Sequence, residues 1–417
     1  MRLMVFFYYL TKNLRVGLES SHTGEHDSKF LFYGSSANQL NAMNATIDAL
    51  KSKGEAVTAI AASEARGTEE QKARYQPCYF SVSDELKAIA LLVSRGIGLY
   101  QVLKRRRSES ASWYFNHFCK PYVCLVYFER LLKEVRPEFV ITSNDHNVEN
   151  RCLLAVAQKM GVRTVYMQHA SVSEVFPALS VDYAFLDGQA ALDVYKKCRG
   201  NRPAHFNGPR TVDVFLAGQQ KPLNFFRRNG ASCVGVALNP LDDGDAVVSL
   251  VETLRRASVE VCLRWHPRQD EEIVRRLRTA FCADKGVLLS NPNRESVSGF
   301  MEKIRFLVAG NSSIHLEAAI AGVAPIYFES TAVDQPDYYG FVRNGIAKHA
   351  VTGRDLLDML SVEDSSWPNP ASVRYYSASF HTEWEGREGG LVADCLLALR
   401  NGETDLMPIN PISLNES

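Results

Sequence analysis

The chain has 417 residues, 46% hydrophobic and 23% charged, with 47 basic side chains balancing 47 acidic ones, as in a folded globular protein. Zero net charge disfavours binding of nucleic acid through bulk charge, and the length predicts two or three domains at roughly 100–200 residues each. The nine cysteines are scattered without a CxxC pair, which disfavours a disulfide framework or a zinc site and indicates thiols in a reducing cytoplasm.

A first strand–helix series occupies the N-terminal half. The apolar start, MRLMVFFYYL, is too short for a membrane span and predicts a strand or a leader. KFLFYG (29–34), a Gly-Ser turn and a helix ending at Gly54 are typical of the opening of a doubly wound domain. Helical patterns dominate 83–135, which contain KRRR (104–107). Further strands are predicted over 55–63, 138–144, 163–169 and 181–188.

A second series follows a stretch rich in Gly, Pro and basic residues. Its strands are predicted over 233–239, 259–267, KGVLLS (285–290), 305–311 and 323–329. A last helix spans 387–402, and the polar tail after it is expected to fray. We therefore predict a first domain over 28–205, a linker over 206–230, a second domain over 231–380, and a C-terminal helix over 381–402 that packs back on the first domain.

The strand end LRWHP (263–267) is the first candidate for chemistry. Pro267 cannot continue a central strand, so His266 is expected at the rim of the sheet. In open α/β sheets ligands bind at the carboxyl ends of the strands. An imidazole placed there can donate to a phosphate oxygen of a leaving group. The alternative is a structural histidine at a strand end.

The segment VAGNSSIHLEAAIAG (308–322) predicts an anion site. A buried strand ends at Gly310, Asn311, Ser312 and Ser313, and a helix begins at once. Free backbone N–H groups and the helix dipole favour a phosphate there, and the two hydroxyls add donors. Glu317, in the first turns of the helix, could accept hydrogen bonds from ribose hydroxyls. The alternative is simple capping of the helix.

The first domain also has polar residues past two strand ends. Asp145, just beyond 138–144, could act as general base toward an acceptor hydroxyl. Gln168 and His169 end the next strand and open a serine-rich loop toward the same cleft, where we assign them to substrate binding. Turn and capping roles are the alternative for each of them.

NPLDDGD (239–245) follows the first strand of the second domain. Its aspartates could bind a cation, act as a nucleophile or cap the next helix, and among them Asp243 is our candidate nucleophile. Asn239, at the same strand end, is assigned to substrate binding.

Three segments resemble bacterial GT-B glycosyltransferases of surface polysaccharides. They are RWHP, GNSS with LEAAIAGVAPIYF, and VYMQHASVSEVFPALSVDYAFLDG, within about residues 138–345. In style the chain is similar to sialyltransferases, polysialyltransferases and Kdo transferases, which use CMP-activated acidic sugars. The resemblance implies a GT-B fold, two Rossmann-like α/β domains facing a cleft. It also implies that His266 contacts the donor phosphate and that Ser312 and Ser313 hold it.

One departure from that family concerns the acidic-acidic-Gly motif of sialyltransferases, which belongs to their first domain. Here the matching triplet, Asp242-Asp243-Gly244, lies 22–24 residues before His266 in the second domain. Asp145 fills the first-domain role by position. Asp243 matches the carboxylate nucleophile that retaining Kdo transferases carry in the donor domain, so the anomeric outcome stays open.

The sequence thus predicts a cytoplasmic glycosyltransferase that moves a Kdo-like or sialic acid-like sugar from a CMP donor to a hydroxyl of a bacterial capsule or lipopolysaccharide glycan. Its partners are the donor and a glycan or glycolipid acceptor, with no nucleic acid. The scheme requires no cofactor beyond the donor and no metal, because protein groups meet the phosphate. KRRR with the aromatic run after it could contact the inner membrane face peripherally, or be a solvated helix end.

Several alternatives remain. Within the same fold they are a polyol-phosphate transferase of the teichoic-acid type, a UDP-sugar transferase and a sugar-nucleotide epimerase. In a different class, the chain would be a non-catalytic protein that binds a nucleotide or a glycan.

Overall fold

The computed structural model describes residues 28–198, 211–220, 233–330, 334–362 and 367–415. The predicted N-terminal leader or strand lies outside these residues, as does the predicted linker except for 211–220.

The described chain forms two β-sheets covered by helices. The strands are β1 (Phe30–Gly34), β2 (Val57–Ala61), β3 (Gln76–Pro77), β4 (Phe139–Thr142), β5 (Arg163–Met167), β6 (Tyr183–Leu186), β7 (Thr211–Leu216), β8 (Cys233–Ala237), β9 (Val261–Arg264), β10 (Val287–Ser290), β11 (Ile304–Ala309), β12 (Ala324–Tyr327), β13 (Lys348–His349) and β14 (Ile412–Asn415). The sheet orders are β14-β7-β6-β5-β4-β1-β2-β3 and β10-β9-β8-β11-β12-β13. All described pairings are parallel except that of β14 with β7, which confirms the predicted α/β class.

The helices cover both faces of the sheets. They are α1 (Ala37–Ser52), α2 (Glu69–Arg74), α3 (Val82–Leu91), α4 (Ile97–Arg106), α5 (Ser108–Trp113), α6 (Phe115–Val135), α7 (Val148–Lys159), α8 (Gln189–Lys197), α9 (Gly244–Arg256), α10 (Glu271–Phe281), α11 (Val297–Met301), α12 (Ile314–Ile320), α13 (Gly353–Ser361), α14 (Pro370–Tyr376) and α15 (Glu388–Asn401). The turn Leu92–Gly96 joins α3 and α4 into one continuous helix. Because helices lie on both faces, the central strands are buried on both sides and consist of near-continuous apolar runs.

Each sheet has a point where the strand order reverses. The chain leaves β1 toward β2 and β3 and returns to its other side with β4, so the first reversal lies between β1 and β4. The second sheet repeats this pattern, with the reversal between β8 and β11. The crevice outside the carboxyl ends of such strands is where open α/β sheets bind ligands.

Two predictions about the chain's organisation are wrong. The predicted linker contains β7, which pairs with β6 from Tyr183↔Asp213 to Leu186↔Leu216, so the first sheet extends beyond residue 205. The tail expected to fray forms β14, which pairs antiparallel with β7 and covers its edge. Both strands were missed because their flanking composition is typical of loops, and only pairing across the sheet selects them.

The helix α15 packs against α1 in the first domain. Its apolar side chains, among them Leu391, Val392 and Leu396, are buried in the same core as Leu40 and Ile47 of α1. Gly389 lies where the two backbones approach most closely, since a Cβ added there would stand 2.5 Å from the carbonyl carbon of Ala45.

Gly389→Ala should therefore destabilise the protein while Gly390→Ala should not. The first variant forces the helices apart, and overpacking of this kind costs about 1–3 kcal/mol. A Cβ at Gly390 meets nothing within 4 Å, and alanine in a helix is about 1 kcal/mol more favourable than glycine. Chemical denaturation of both variants measures the difference. Equal stability of the two would contradict the close approach of α15 to α1.

Candidate functional site

Polar residues gather at the carboxyl ends of four neighbouring strands of the second sheet. Asn239 follows β8, His266 follows β9, Asn311 follows β11 and Glu329 follows β12. These positions surround the reversal between β8 and β11, so the strand ends predicted to carry chemistry do meet at one edge of the sheet.

His266 is held as a hydrogen-bond donor at this edge. Its Nδ1 accepts the backbone N–H of Arg268 at 3.0 Å, so the proton of the neutral ring is on Nε2. Burial, with a smaller contribution from the charge of Arg268, lowers the pKa of His266 and keeps the ring neutral. Sequence reasoning missed Gln269, which is buried and whose side-chain amide has no hydrogen-bond partner among the described residues.

The Ser-Ser segment begins a helix shorter than predicted. The sequence favoured a helix over 313–322, but α12 has seven residues. Ser313 is the N-cap and makes no side-chain cap bond, whereas Ser312 Oγ accepts the Ile314 N–H at 3.4 Å. Ser313 is exposed and Ser312 half-buried, so both hydroxyls lie near the surface of the strand-end edge.

The two asparagines at the reversal bind the protein itself. Asn239 Nδ2 donates to the backbone carbonyl of Asn311 at 2.5 Å and its Oδ1 accepts the Leu241 N–H at 3.1 Å. Asn311 in turn donates to the Gln335 carbonyl at 2.7 Å and accepts the Tyr338 N–H at 2.8 Å. These side chains brace the ends of β8 and β11, and the ligand contacts assigned to them stay predictions.

The structure separates the two adjacent aspartates after β8. Asp243 is the exposed N-cap of α9, where its Oδ1 accepts the N–H groups of Asp245 and Ala246 at 2.9 and 3.0 Å. Asp242 is partly buried, its Oδ2 accepting the Asn239 N–H at 2.7 Å. Burial, together with the nearby charge of Glu329, raises the pKa of Asp242 to about 6. Asp243 thus caps a helix, which was the alternative to a catalytic role, and Asp242 is the carboxylate that lies beside the strand ends.

The raised pKa of Asp242 predicts a pH-dependent stability. The unfolded carboxyl has a pKa of about 3.9, so between about pH 4 and 6 the folded protein holds a proton that the unfolded chain releases. The free energy of unfolding should therefore fall as the pH rises through this window. Asp242→Asn should flatten that slope and raise the free energy of unfolding at neutral pH by about 2 kcal/mol. Denaturation across the window tests this, and a slope in Asp242→Asn equal to that of the wild type would contradict it.

A buried histidine and a glutamate, both missed by sequence reasoning, fix the backbone of Gly310. His315 is fully buried, its Nε2 donates to the Gly310 carbonyl at 2.9 Å, and burial lowers its pKa to about 4. Tyr327 Oη donates to Glu329. A Cβ at Gly310 would stand 2.7 Å from Glu329 Oε2, so this carboxylate lies close against the glycine. The role of His315 was hidden because its burial comes from strands distant in the sequence.

Glu317, predicted to hold a ribose, is half-buried in α12. The buried Arg264 guanidinium at the end of β9 donates to Ser290 Oγ at 2.8 Å and to the Glu295 carbonyl at 3.0 Å. Burial lowers the pKa of Arg264, and the charge of Glu317 opposes that shift. Glu317 thus lies within electrostatic range of a buried cation.

In the first domain Asp145 lies at the reversal between β1 and β4. Asn147 Nδ2, two residues on, donates to Ser35 Oγ beyond β1 at 3.2 Å, which joins the two strand ends. Asp145 is 6% exposed, and its Oδ1 lies 3.2 Å from His146 Nδ1. Its Oδ2 has no hydrogen-bond partner in the described part of the chain. A buried carboxylate oxygen without a donor is a candidate base.

Gln168 and His169, predicted to bind substrate, differ in their burial at the end of β5. Gln168 is buried, its Oε1 accepting the Asp187 N–H at 2.9 Å and its Nε2 donating to the Ala170 carbonyl at 3.0 Å. Its amide thus braces the ends of β5 and β6, and its assignment to substrate binding stays a prediction. His169 is half-buried at the start of the loop after β5.

A chain of contacts connects Asp145 to the second-sheet edge. The His146 ring packs on the Phe176 ring at 4.8 Å, in the loop after β5. In the same loop Ser173 Oγ accepts the hydroxyl of Tyr338 at 2.5 Å, and the Tyr338 N–H donates to Asn311, the residue before Ser312. The carboxyl ends of the two sheets therefore face one cleft.

A second interdomain contact runs through α14. Tyr375 Oη donates to Asp193 Oδ2 on α8 at 3.0 Å, and the Ala378 N–H donates to the carbonyl of Asp187 at 2.8 Å. A cavity of about 100 Å³ lies there, lined by residues of both domains that include Gln168, Asp187, Arg343 and Tyr376.

A cavity of about 480 Å³ opens within the first domain at the ends of β1 and β2. Its walls are mainly apolar side chains of α3, α5 and α6, with the ion pair of Lys120 and Glu149 at its polar side. The cavity thus borders the first turn of α7, to which Glu149 belongs. It offers room for a second, partly apolar substrate.

Solved structures of the GT-B type share this architecture. A UDP-N-acetylglucosamine 2-epimerase superposes with a TM-score of 0.58 at 12% identity, over 93% of this chain and 99% of that one. The UDP-GlcNAc 2-epimerase of Neisseria meningitidis, solved with UDP-GlcNAc, gives 0.53 at 10% identity over 88% and 99%. The glycosyltransferase SnogD of Streptomyces nogalater gives 0.50 at 13% identity over 90% and 100%. The predicted GT-B fold is confirmed.

No family model matches the chain, and no curated protein matches it in sequence. The similarity to known proteins therefore extends to the fold alone.

Proposed function

We propose that the chain is an enzyme that transfers a sugar from a nucleotide-activated donor, held by the second domain, to an acceptor hydroxyl held by the first. The observation that carries the proposal is the position of Asp145. This buried carboxylate has an oxygen without a partner among the described residues, and contacts through Tyr338 and Ser173 connect it to the donor groups of the second sheet.

The proposed chemistry uses groups on both sides of the cleft. The Nε2–H of His266 and the hydroxyls of Ser312 and Ser313 donate to the phosphate oxygens, where negative charge develops as the bond to the anomeric carbon breaks. Oδ2 of Asp145 takes the proton of the acceptor hydroxyl while the oxygen of that hydroxyl bonds to the anomeric carbon. Direct attack inverts the anomeric configuration, and Asp243, a helix cap, has no part in it.

The donor that we place first is a UDP-sugar. The support is the fold shared with UDP-N-acetylglucosamine 2-epimerases, one of them solved with UDP-GlcNAc. A CMP-activated Kdo or sialic acid, and a capsule or lipopolysaccharide acceptor, remain predictions from the sequence. All nine cysteines are free thiols in the structure, which supports a cytoplasmic setting, where nucleotide sugars are available.

A second candidate is a sugar-nucleotide epimerase acting on the same donor without an acceptor. The epimerase structures favour it, since the TM-score of 0.58 exceeds the 0.50 of SnogD. The cavity of about 480 Å³ in the first domain favours transfer instead, because an epimerase has no second substrate to place there.

Binding and turnover assays with defined nucleotides test the proposal. Thermal unfolding is followed with UDP, UDP-GlcNAc, CMP and CDP-glycerol, for the wild type, His266→Ala and a control, His381→Ala, at an exposed histidine outside the strand-end edge. We expect UDP and UDP-GlcNAc to raise the melting temperature of the wild type and the control, and to affect His266→Ala much less.

Other results would replace the proposal. Stabilisation by CMP alone would transfer the donor assignment to a CMP-sugar. Conversion of UDP-GlcNAc to its C2 epimer without acceptor, followed by NMR, would make the protein an epimerase. The absence of stabilisation by every nucleotide would reject an enzyme of this type.

A further inference from the structure

The helix formed by α3, Leu92–Gly96 and α4 carries its apolar side chains on the outside. Over Val82–Arg106 it is long and apolar enough to cross a membrane, yet only 11% of its most apolar window is buried. Val82, Leu86, Val93 and Ile97 follow one another at spacings of four, seven and four residues, which places them on one face. They are 57%, 63%, 59% and 52% exposed. Amphipathic surface helices normally bury such a face.

The opposite face is fixed to the domain. Asp84 forms a buried ion pair with Arg130 of α6 at 2.8 Å. Gly96 lies against Tyr122 of α6, since a Cβ there would stand 2.9 Å from the tyrosine hydroxyl. Because the helix is attached at both of these points, rotation of the apolar stripe into the core would break these contacts.

The end of the helix has the composition of a membrane interface. None of the α4 residues is buried, and α4 ends in Lys104, Arg105 and Arg106, with Arg107 next. Trp113 and Tyr114 follow within ten residues and are 78% and 61% exposed. Clustered basic residues attract anionic headgroups, and tryptophan and tyrosine favour the boundary between headgroups and acyl chains.

The helix is suited to lie on a membrane rather than to span it. Arg95 is near the middle of Val82–Arg106 and would be placed in the hydrocarbon core of a spanned bilayer, where charges are strongly disfavoured. In a helix lying in the interface, Arg95 and the basic end reach the headgroups while the apolar stripe enters the acyl boundary.

We propose that this surface, called the α3–α4 surface and comprising Val82–Arg107 with Trp113 and Tyr114, docks the protein on an anionic lipid bilayer. The cavity of about 480 Å³ is lined by Leu92 and Trp113 of the same region, so docking brings this part of its wall to the membrane. An acceptor carried by a membrane lipid then reaches the first domain without leaving the bilayer. Docking itself does not depend on the proposed transfer reaction.

Sedimentation with vesicles tests the docking surface on the full chain. The wild type is expected to bind phosphatidylcholine vesicles containing phosphatidylglycerol, and to bind pure phosphatidylcholine at least tenfold more weakly. V93D/I97D should lower the affinity more than tenfold, and K104Q/R105Q/R106Q about a hundredfold at low salt. Val351→Asp is the matched control, since Val351 is 72% exposed in the second domain. Its binding should equal that of the wild type.

Tryptophan fluorescence gives an independent readout. Trp113 is highly exposed whereas Trp265 is buried, so insertion should shift the emission to shorter wavelength, and Trp113→Phe should lose the shift. Melting temperatures of the variants verify folding, because all substituted side chains are exposed. Equal vesicle binding by wild type and V93D/I97D would overturn the proposal. So would a wild-type dimer that V93D/I97D converts to monomer without any effect of lipid.

Discussion

His266→Ala is expected to lower turnover by roughly 10²–10³-fold, the usual loss when one preorganised donor to a developing oxyanion is removed. The ring is half-buried and engages the protein through Nδ1 and the Arg268 N–H, so its removal takes away one peripheral hydrogen bond. The melting temperature should stay close to that of the wild type. In the mechanism proposed, the lost group is the Nε2–H that faces the leaving phosphate.

Two further variants make this prediction specific. His266→Gln keeps a side-chain N–H donor and should recover part of the turnover, whereas replacement of an exposed histidine elsewhere, His381→Ala, should leave turnover unchanged. Because burial lowers the pKa of His266, the neutral donor persists through neutral pH and turnover should not follow an ordinary histidine titration. Full activity of His266→Ala would exclude the proposed role.

The sequence predicts the central strands and the order of the two domains because each of these elements has a local sequence pattern. Strands such as β1, β4 and β8 are short apolar runs bounded by turn residues, and parallel strands buried on both faces have this appearance. The segments of β14, an edge strand, and of β7, which lies between β6 and β14, lack that signal. The sequence therefore predicts a linker and a tail for these segments, and only their pairing in the sheet identifies them as strands.

Strand ends locate the candidate site, but the role of each residue there depends on fine geometry. In NPLDDGD the start of α9 decides which aspartate caps the helix, and a difference of one residue exchanges Asp242 and Asp243. Short amides at strand ends find backbone partners, which is why Gln168 and Asn239 brace the sheets. Burial by distant strands keeps His315 neutral, and no local sequence pattern predicts that burial.

Asp145→Asn should remove most of the turnover and leave the fold intact. Loss of a general base typically lowers the rate by roughly 10²–10⁴-fold. The amide keeps the shape of the side chain and the contact of Oδ1 with His146, while it removes a negative charge from a site where Oδ2 has no partner among the described residues. Because the amide preserves the Oδ1 contact and the buried shape of the side chain, the free energy of unfolding should stay close to that of the wild type.

Asp243→Asn is the matched comparison, because it makes the same chemical change on the other candidate carboxylate. Asparagine caps helices as well as aspartate, so this variant should keep both the stability and the turnover of the wild type. The pair of variants decides between two mechanisms. If Asp145 alone is needed, the acceptor hydroxyl is activated from the first domain and the sugar inverts. If Asp243→Asn abolishes turnover while Asp145→Asn retains it, the reaction proceeds through a covalent intermediate on Asp243 of the second domain. In that case the Asp243 carboxylate must first leave its capping position at the start of α9.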